Sequence, residues 1–235
     1  MTLNDVLISG TPRSGTTLTC HLLNKVEDTV ALHEPMRGKE WEEGMAHDEV
    51  AERVVDFCAQ QLSEDFTLVL KHNAGFTAVL DGLVKHFRVY AVLRNPLSVM
   101  SSISSDVNSR HGRFPAAERV DPELKDALDA LSDPLDRLLH VLDWFYSRWH
   151  RHIPAENFIR YEDVVESGGS VLEKVTPHAA SLSEPLESRN SNRLYDSDLV
   201  QRIGRKLLES DGAYWRSYSR ESVEEVLNAR LAELR

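Results

Sequence analysis

The chain has 235 residues, a formal net charge of −11 and a sequence pI of about 5.4. This acidity argues against sequence-independent nucleic-acid binding, because such binding depends on Lys and Arg side chains that neutralise phosphates. The two cysteines, Cys20 and Cys58, lie in apolar segments with helical spacing, which favours reduced, buried thiols over a disulfide framework. The apolar run at residues 6–8 is too short for a signal sequence or a membrane span, so we expect a cytoplasmic protein that binds neither membranes nor nucleic acid.

Short apolar runs that end at polar or turn-forming residues predict five strands, at residues 6–9, 29–32, 66–70, 89–93 and 157–161. Apolar residues at helical spacing predict helices at residues 16–25, 48–62, 78–86, 97–107, 134–149, 196–208 and 222–234. The aromatic side chains of 134–149 are expected to pack in the core. Strands that alternate with helices predict an α/β fold, in which a roughly five-stranded, mostly parallel sheet is flanked by helices in a three-layer sandwich.

We expect one domain that spans residues 1–235. Its long polar stretch, residues 108–133, contains two prolines and predicts an excursion of the chain that could cover a substrate. Arg110, His111, Arg113 and Arg119 could form a basic patch there, although a solvated loop is the plainer interpretation.

Polar residues follow the ends of four predicted strands. They are Arg13, Glu34, Lys71, His72 and Arg94. Because ligands of open parallel sheets bind beyond the carboxyl ends of the strands, we expect these residues to share one site.

Residues 10–17 follow the pattern G-x-x-x-x-G-x-T between a predicted strand and a predicted helix. Gly10 and Gly15 let the backbone curl, and the helix that begins at Thr16 directs free N–H groups at an anion. Arg13 adds a charged donor. A nucleoside-triphosphatase loop has Lys where this chain has Thr16, which weakens an interpretation as an ATP- or GTP-hydrolysing protein.

The sequence Pro-Arg-Ser-Gly-Thr-Thr at residues 12–17 resembles the 5′-phosphosulfate loop of PAPS-dependent sulfotransferases. The resemblance implies a P-loop-like fold and a nucleotide site that uses PAPS and releases PAP. The sequence has no His/Cys cluster with metal-ligand spacing, so we expect no metal ion. It also implies that the 5′ side of the donor is held by Pro12, Arg13, Ser14, Gly15, Thr16 and Thr17.

Residues 89–102 resemble the strand, Arg-Asp-Pro turn and helix that hold the donor's 3′-phosphate in that family. Arg94 and Ser102 match the family's 3′-phosphate arginine and serine. Asn95 stands where the family usually has Asp. Residues 158–163 resemble a late Tyr-Glu-Asp segment of the family, which implicates Tyr161 in nucleotide binding.

The last third of the chain matches no family element, and the Gly-x-x-Gly-x-x-Lys element of cytosolic members is not evident. Arg189 and Arg193 are the local candidates for the missing nucleotide contact from that side.

A sulfotransferase also needs a base that takes a proton from the acceptor, the molecule that receives the sulfuryl group. The separation of Glu34 from Arg13 resembles that of the glutamate base in tyrosylprotein sulfotransferases, and Lys71 falls where that subfamily has an assisting lysine. Cytosolic members use a histidine near this point instead, and His72 lies one position early for that role. We prefer Glu34, with His72 and His33 as alternatives.

The resulting hypothesis is an enzyme that transfers a sulfuryl group from PAPS to a hydroxyl or amine of a small molecule, a glycan or a peptide. The alternatives are a P-loop kinase that acts with Mg-ATP and a non-catalytic nucleotide-binding protein. The sequence does not indicate the oligomeric state.

Overall fold

The computed structural model describes residues 5–36, 42, 44–61, 66–72, 74–106, 111–190 and 196–233, without the side chains of residues 61 and 233. Its five strands are β1 (Val6–Gly10), β2 (Thr29–His33), β3 (Thr67–Lys71), β4 (Arg88–Leu93) and β5 (Phe158–Arg160). They form one sheet in the order β2-β3-β1-β4-β5, and every neighbouring pair is parallel. The predicted α/β class and parallel sheet are confirmed.

The strands are connected by helices that cover both faces of the sheet. In chain order they are α1 (Thr16–Leu23), α2 (His47–Gln61), α3 (Ala74–Ala78), α4 (Leu80–Leu83), α5 (Pro96–Ser104), α6 (Pro115–Glu118), α7 (Pro122–Ala130), α8 (Pro134–His152), α9 (Tyr161–Glu166), α10 (Ser197–Glu209) and α11 (Arg220–Glu233). Across the described ranges, none of these helices combines the length and the apolarity that crossing a membrane requires.

The central strand β1 is buried along its whole length, which explains its continuous apolar sequence. Val6 pairs with Val69 of β3 on one side and with Arg88 of β4 on the other. Successive side chains enter two separate apolar clusters: Leu7 belongs to the larger one, and Val6 and Ile8 belong to the smaller one. One apolar cluster thus lies on each face of the sheet. The sheet and the helices on its two faces form the three layers that the sequence predicts.

Both cysteines are free and buried, in agreement with the sequence-based expectation. Burial raises the pKa of the Cys20 and Cys58 thiols to about 12 in each case. Both thiols are therefore protonated and behave as small apolar side chains.

Helix α8 packs its aromatic face into the larger cluster, as its helical spacing predicts. The indole N–H of Trp149 donates to the Ser9 hydroxyl at 3.0 Å, and the Tyr146 hydroxyl donates to the Arg94 carbonyl at 3.2 Å. These bonds satisfy the polar atoms of two buried aromatic residues. They also connect α8 to the ends of β1 and β4, where the candidate site lies.

The polar stretch 108–133 contains secondary structure that the sequence analysis did not predict. Its described part forms α6 and α7, and five of its apolar side chains enter the core, namely Phe114, Ala117, Val120, Leu124 and Leu128. Each helix has proline in its first turn, where the missing N–H costs no hydrogen bond, and Asp121 caps α7 by accepting from the Leu124 N–H at 3.0 Å. The prolines therefore begin helices here rather than mark a loop.

Arg113 was a candidate for a basic patch, but the structure gives it acidic partners. It donates to Glu118, which is buried, and to Asp129 at 2.5 Å. These contacts neutralise Arg113, while Arg110 lies outside the described residues.

The C-terminal region closes the larger cluster. Tyr214 and Tyr218 are buried, and the Tyr214 ring meets the Tyr146 ring edge to face at 6.2 Å between centroids. The last third of the chain is therefore part of the core.

We expect Val69→Ala to lower the free energy of unfolding by roughly 1.5–3 kcal/mol, because it removes methyl groups from the closed interior and leaves a cavity. Val30→Ala is the matched control on neighbouring β2, where Val30 is 39% exposed. That change should cost less than about 1 kcal/mol in urea denaturation followed by circular dichroism. Equal losses from the two variants would contradict this arrangement of the sheet.

Candidate active site

The carboxyl ends of the five parallel strands lie at one edge of the sheet, and the predicted polar residues follow them there. Backbone hydrogen bonds continue past the strand ends. The His72 N–H donates to the Ile8 carbonyl at 3.1 Å, and the Glu34 N–H donates to the Lys71 carbonyl at 2.8 Å. These bonds hold the residues that follow β1, β2 and β3 beside one another.

The loop between β1 and α1 makes a tight turn. Arg13 has a φ of +70° and Gly15 a φ of +97°, and the Ser14 N–H donates to the Thr11 carbonyl at 3.1 Å. Gly15 is the N-cap residue of α1, and no side chain caps this helix. The positive end of the α1 dipole therefore faces this loop without a capping side chain among the described residues, which is the arrangement that binds anions.

The Ser14 hydroxyl gives independent evidence for a ligand at this loop. Ser14 is 0% exposed, and within the part of the chain that the structure describes its Oγ has no hydrogen-bond partner. A buried hydroxyl without a partner costs about 1–3 kcal/mol of stability. An anion bound at the start of α1 would supply the missing acceptor.

Arg94 lies directly behind the loop and is 6% exposed. Its guanidinium donates to the Arg13 carbonyl at 2.8 Å, the Arg189 carbonyl at 2.6 Å and Asn190 Oδ1 at 2.8 Å. The guanidinium also stands over the Tyr161 ring, 4.5 Å from its centroid. Arg94 thus brings its charge to the loop, but a phosphate bound there must compete with these acceptors.

Tyr161 contacts both the loop between β1 and α1 and the segment at Arg189. Its hydroxyl accepts from the Arg189 N–H at 2.9 Å, and its ring packs against Gly15. The sequence places Tyr161 at the end of a strand, whereas in the structure it begins α9. Its contacts join residues 11–15, the loop between β1 and α1 that we call the phosphate loop, to the segment at Arg189.

Glu162 is a site residue that the sequence analysis did not single out. Its carboxylate accepts from the Asn95 N–H at 3.0 Å, from Asn190 Nδ2 at 3.0 Å and from the Tyr218 hydroxyl at 2.8 Å. The Tyr-Glu-Asp resemblance at residues 161–163 was the signal that could have identified it.

Asn95 departs from the aspartate that the resemblance implies, and its contacts explain how the chain uses the amide. Its Oδ1 caps α5 by accepting from the Leu97 N–H at 3.1 Å, which an aspartate could also do. Its Nδ2 donates to the Ser222 carbonyl at 3.2 Å, which an aspartate could not.

Two serines of α5 bind a buried arginine from the last helix. Arg230 is 2% exposed and donates to Ser98 Oγ and Ser101 Oγ, each at 2.9 Å, and to the Asn190 carbonyl at 2.5 Å. Ser102, the predicted 3′-phosphate serine, is the next residue of α5 and is partly buried. No sequence signal pointed to Arg230, because its serine partners lie more than a hundred residues earlier in the chain and Asn190 lies 40 residues earlier.

Across the sheet edge, Lys71 and Glu34 form an ion pair. The Lys71 ammonium is 2% exposed and donates to Glu34 Oε1 at 2.8 Å. It also lies 3.1 Å from His33 Nε2, and the same nitrogen lies 3.0 Å from the Thr17 hydroxyl at the start of α1. The structure thus brings together three predicted groups, Glu34, Lys71 and His33, beside the phosphate loop.

The charge states of this cluster follow from its contacts. Burial opposes ionisation of Glu34, but the hydrogen bond and charge of Lys71, with smaller contributions from His72 and His33, outweigh it, so the pKa of the Glu34 carboxyl lies below its ordinary value. Burial and the Lys71 charge lower the pKa of His33. At neutral pH Glu34 is therefore ionised and His33 is neutral.

His72 occupies a different environment from its rivals for the role of base. It is buried, and its ring packs against Phe76 with 5.0 Å between ring centroids. The Glu34 side chain is partly open and the His33 ring is exposed. An incoming acceptor therefore meets Glu34 or His33 more readily than His72.

Arg13 is the most open of the predicted cations at the loop. Its side chain is 49% exposed and forms an ion pair with Asp106 at 3.0 Å. Arg193 lies outside the described residues, whereas Arg189 contributes its backbone N–H and carbonyl to the contacts above. Among the described side chains, no group of three or more His, Cys, Asp or Glu residues is arranged to hold a metal ion.

No protein-family model matches the chain, and no curated protein matches its sequence. Among solved structures the chain is similar to a sulfotransferase domain from the curacin biosynthetic pathway, at 16% identity over 97% of this chain and 96% of that one, with a TM-score of 0.48. It is also similar to the sulfotransferase STF9 from Mycobacterium avium, at 14% identity over 99% and 77% of the two chains, with a TM-score of 0.42. A mouse sulfotransferase, SULT7A1 complexed with PAP, matches at 15% identity over 98% and 82%, with a TM-score of 0.34. All three of these structures are sulfotransferases, the family that the sequence motifs resemble.

We expect Gly15→Ala to destabilise the protein and to weaken anion binding at the loop. A Cβ there would lie 2.5 Å from Tyr161 Cδ2, in addition to the strain of a side chain at a φ of +97°. Gly44→Ala is the matched control, because its φ is +78° but, among the described residues, a Cβ there would meet no atom within 4 Å.

The control should lose about 1 kcal/mol in urea denaturation, from backbone strain alone, and Gly15→Ala at least about 1 kcal/mol more. Equal losses would mean that Tyr161 does not pack against Gly15.

We expect Glu34→Gln to lower the free energy of unfolding at pH 7 by about 1–3 kcal/mol, because it leaves the buried Lys71 ammonium without its anion. The folded-state pKa of Glu34 lies below its ordinary value of 4.5, so this stabilisation is present above pH 4.5 and is lost as the pH falls through the folded-state pKa. The gap between variant and parent should therefore shrink in acid, as measured by urea denaturation across a pH series.

Glu27→Gln, at an exposed position shortly before β2, is the control and should show no gap at any pH. A Glu34→Gln gap that stayed constant into acid would exclude the ion pair as its cause.

Proposed function

We propose that this protein transfers a sulfuryl group from PAPS to a hydroxyl or amine acceptor and releases PAP. The observation that carries the proposal is the position of Arg94, whose guanidinium donates to the Arg13 carbonyl within the phosphate loop itself. A second cation this close to the α1 N-terminus suits a nucleotide with separate phosphates at its 5′ and 3′ positions.

The 5′ side of such a donor fits the uncapped start of α1. Its proposed ligands are the Ser14 hydroxyl, which lacks a hydrogen-bond partner among the described residues, the α1 N–H groups and the open Arg13 side chain. The 3′-phosphate is assigned to Arg94 and Ser102, with Tyr161 as support for the Arg94 guanidinium. The acceptor, whether small molecule, glycan or peptide, would approach from the side of Glu34.

In the proposed reaction, the acceptor oxygen or nitrogen forms a bond to sulfur while the bond between sulfur and the bridging phosphate oxygen breaks. That oxygen keeps the electron pair and leaves as part of PAP. The ionised Glu34 takes the acceptor's proton, and Lys71 and Arg13 stabilise the charge that develops on the sulfuryl and leaving oxygens. Because the pKa of Glu34 is lowered, this carboxylate is ionised at neutral pH and can take up a proton.

The principal alternative is a kinase that acts with Mg-ATP. Thr16 occupies the loop position where such enzymes have the lysine that reaches the β- and γ-phosphates, which favours the sulfotransferase. A nucleotide-binding protein without turnover would share the donor site.

We expect calorimetric titration to show PAP binding in roughly the micromolar range, independent of Mg²⁺ and at least about tenfold tighter than AMP binding, because AMP lacks the phosphate that Arg94 would hold. Arg94→Lys, which keeps the charge but loses the planar fork, should weaken PAP binding and leave AMP binding nearly unchanged. Arg88→Ala is the matched control, because Arg88 is exposed at the opposite end of the same strand.

Preference for Mg-ATP over PAP, or equal affinity for PAP and AMP, would contradict the proposed donor. Tight PAP binding without transfer of labelled sulfate from PAPS to any of a panel of hydroxyl and amine acceptors would favour the non-catalytic alternative.

A further inference from the structure

One nitrogen atom, His33 Nε2, lies between the side chain of Lys71, which the proposed function uses, and the side chain of Thr17, which the sequence assigns to the 5′ side of the donor. The Thr17 hydroxyl from α1 is 3.0 Å away and the Lys71 ammonium from β3 is 3.1 Å away. The inference that follows rests on the proposed function, since it concerns the same site.

The chemistry of Lys71 determines the state of that nitrogen. An ammonium group donates hydrogen bonds and accepts none. His33 Nε2, which lies within hydrogen-bonding distance of the Lys71 ammonium, must therefore direct its lone pair at that group. His33 is then neutral and carries its proton on Nδ1. The same lone pair is the natural acceptor for the Thr17 hydroxyl.

We propose that His33 is a positioning residue, whose neutral Nε2 holds the Lys71 ammonium and the Thr17 hydroxyl side by side at the mouth of the phosphate loop. Thr17 lies in the first turn of α1, and Lys71 is the last residue of β3. His33 thus fixes the first turn of α1 against the Lys71 ammonium before the nucleotide arrives, which removes part of the cost of orienting Lys71 towards the loop.

Protonation of His33 would abolish this arrangement, because two cations would then face each other across 3.1 Å. The groups that act on His33 are Lys71 from β3, Glu34 from the following residue and His21 from α1. Desolvation and the Lys71 charge outweigh the carboxylate and lower the pKa of His33 below 6.5. The site should therefore stay aligned at neutral pH and lose its alignment in acid.

The same geometry bears on which residue is the base. A proton taken up at Nε2 would be placed next to the Lys71 ammonium, whereas a proton taken up by Glu34 neutralises an anion. His33 therefore aligns Lys71, and Glu34 remains the group that receives the acceptor's proton.

Histidine-selective NMR tests the proposal on the full chain, without any need for turnover. We expect the His33 spectrum to show the Nδ1–H tautomer and a pKa below 6.5, and we expect Lys71→Met to raise that pKa by removing the ammonium. An Nε2–H tautomer, or a His33 pKa that is the same in Lys71→Met, would overturn the proposal even if the protein is an active sulfotransferase. Conversely, the expected spectrum in a protein that never transfers sulfate would uphold the alignment and refute the proposed function.

Kinetics give the second test. His33→Gln can still accept a hydrogen bond from Lys71 through its amide oxygen, so its kcat at neutral pH should stay within about threefold of the parent while the loss of kcat in acid that reports His33 disappears. His33→Phe accepts no hydrogen bond and should lose roughly tenfold or more in kcat, with little change in PAP affinity.

His86→Gln is the matched control. His86 is exposed and lies just before the start of β4, at the end of the strand opposite to the candidate site. It should leave kcat and its pH profile unchanged. A loss of kcat at the pH where parental His33 titrates that persists in His33→Gln, or a His33→Phe variant with parental kcat, would contradict the positioning role; a separate loss at lower pH is expected in both proteins from protonation of Glu34.

Discussion

The buried guanidinium of Arg94 is the contact on which the site depends. A cation that is removed from water must find acceptors, and Arg94 finds them in three places: the phosphate loop at Arg13, and the distant pair Arg189 and Asn190. Its stacking on Tyr161 adds the start of α9 to the same contact. One side chain thus sets the relative positions of the loop, the end of β4 and a segment from the last quarter of the chain.

The sequence predicted the parts of this arrangement that depend on local order. Alternating strands and helices place Glu34, Lys71 and Arg94 at one edge of the sheet, because parallel strands align their carboxyl ends. The hydrogen bonds of Glu162 and Arg230 could not be predicted in this way, since their partners lie far apart in the chain and share no periodic pattern. The helices of residues 115–130 were missed for a different reason, because proline in a first turn resembles a loop signal.

Two charged residues of the site hold left-handed backbone conformations that glycine usually adopts. Arg13 has a φ of +70° and Glu34 a φ of +50°. Such conformations are costly for residues with a Cβ and persist where the surrounding contacts fix them. Here a bond from Arg94 holds the Arg13 carbonyl, and the Glu34 N–H donates to the Lys71 carbonyl. The strain therefore coincides with the two positions from which the side chains face the proposed substrates.

The contacts of Arg230 have a consequence for how the protein is made. Arg230 binds the Asn190 carbonyl and two serines of α5, and Asn190 in turn binds Arg94. During synthesis all five strands have been made once residue 160 is reached, but the surroundings of Arg94 are complete only when α11 has followed. A translation product that stops before α11 would therefore hold the loop between β1 and α1 without the contacts that support Arg94.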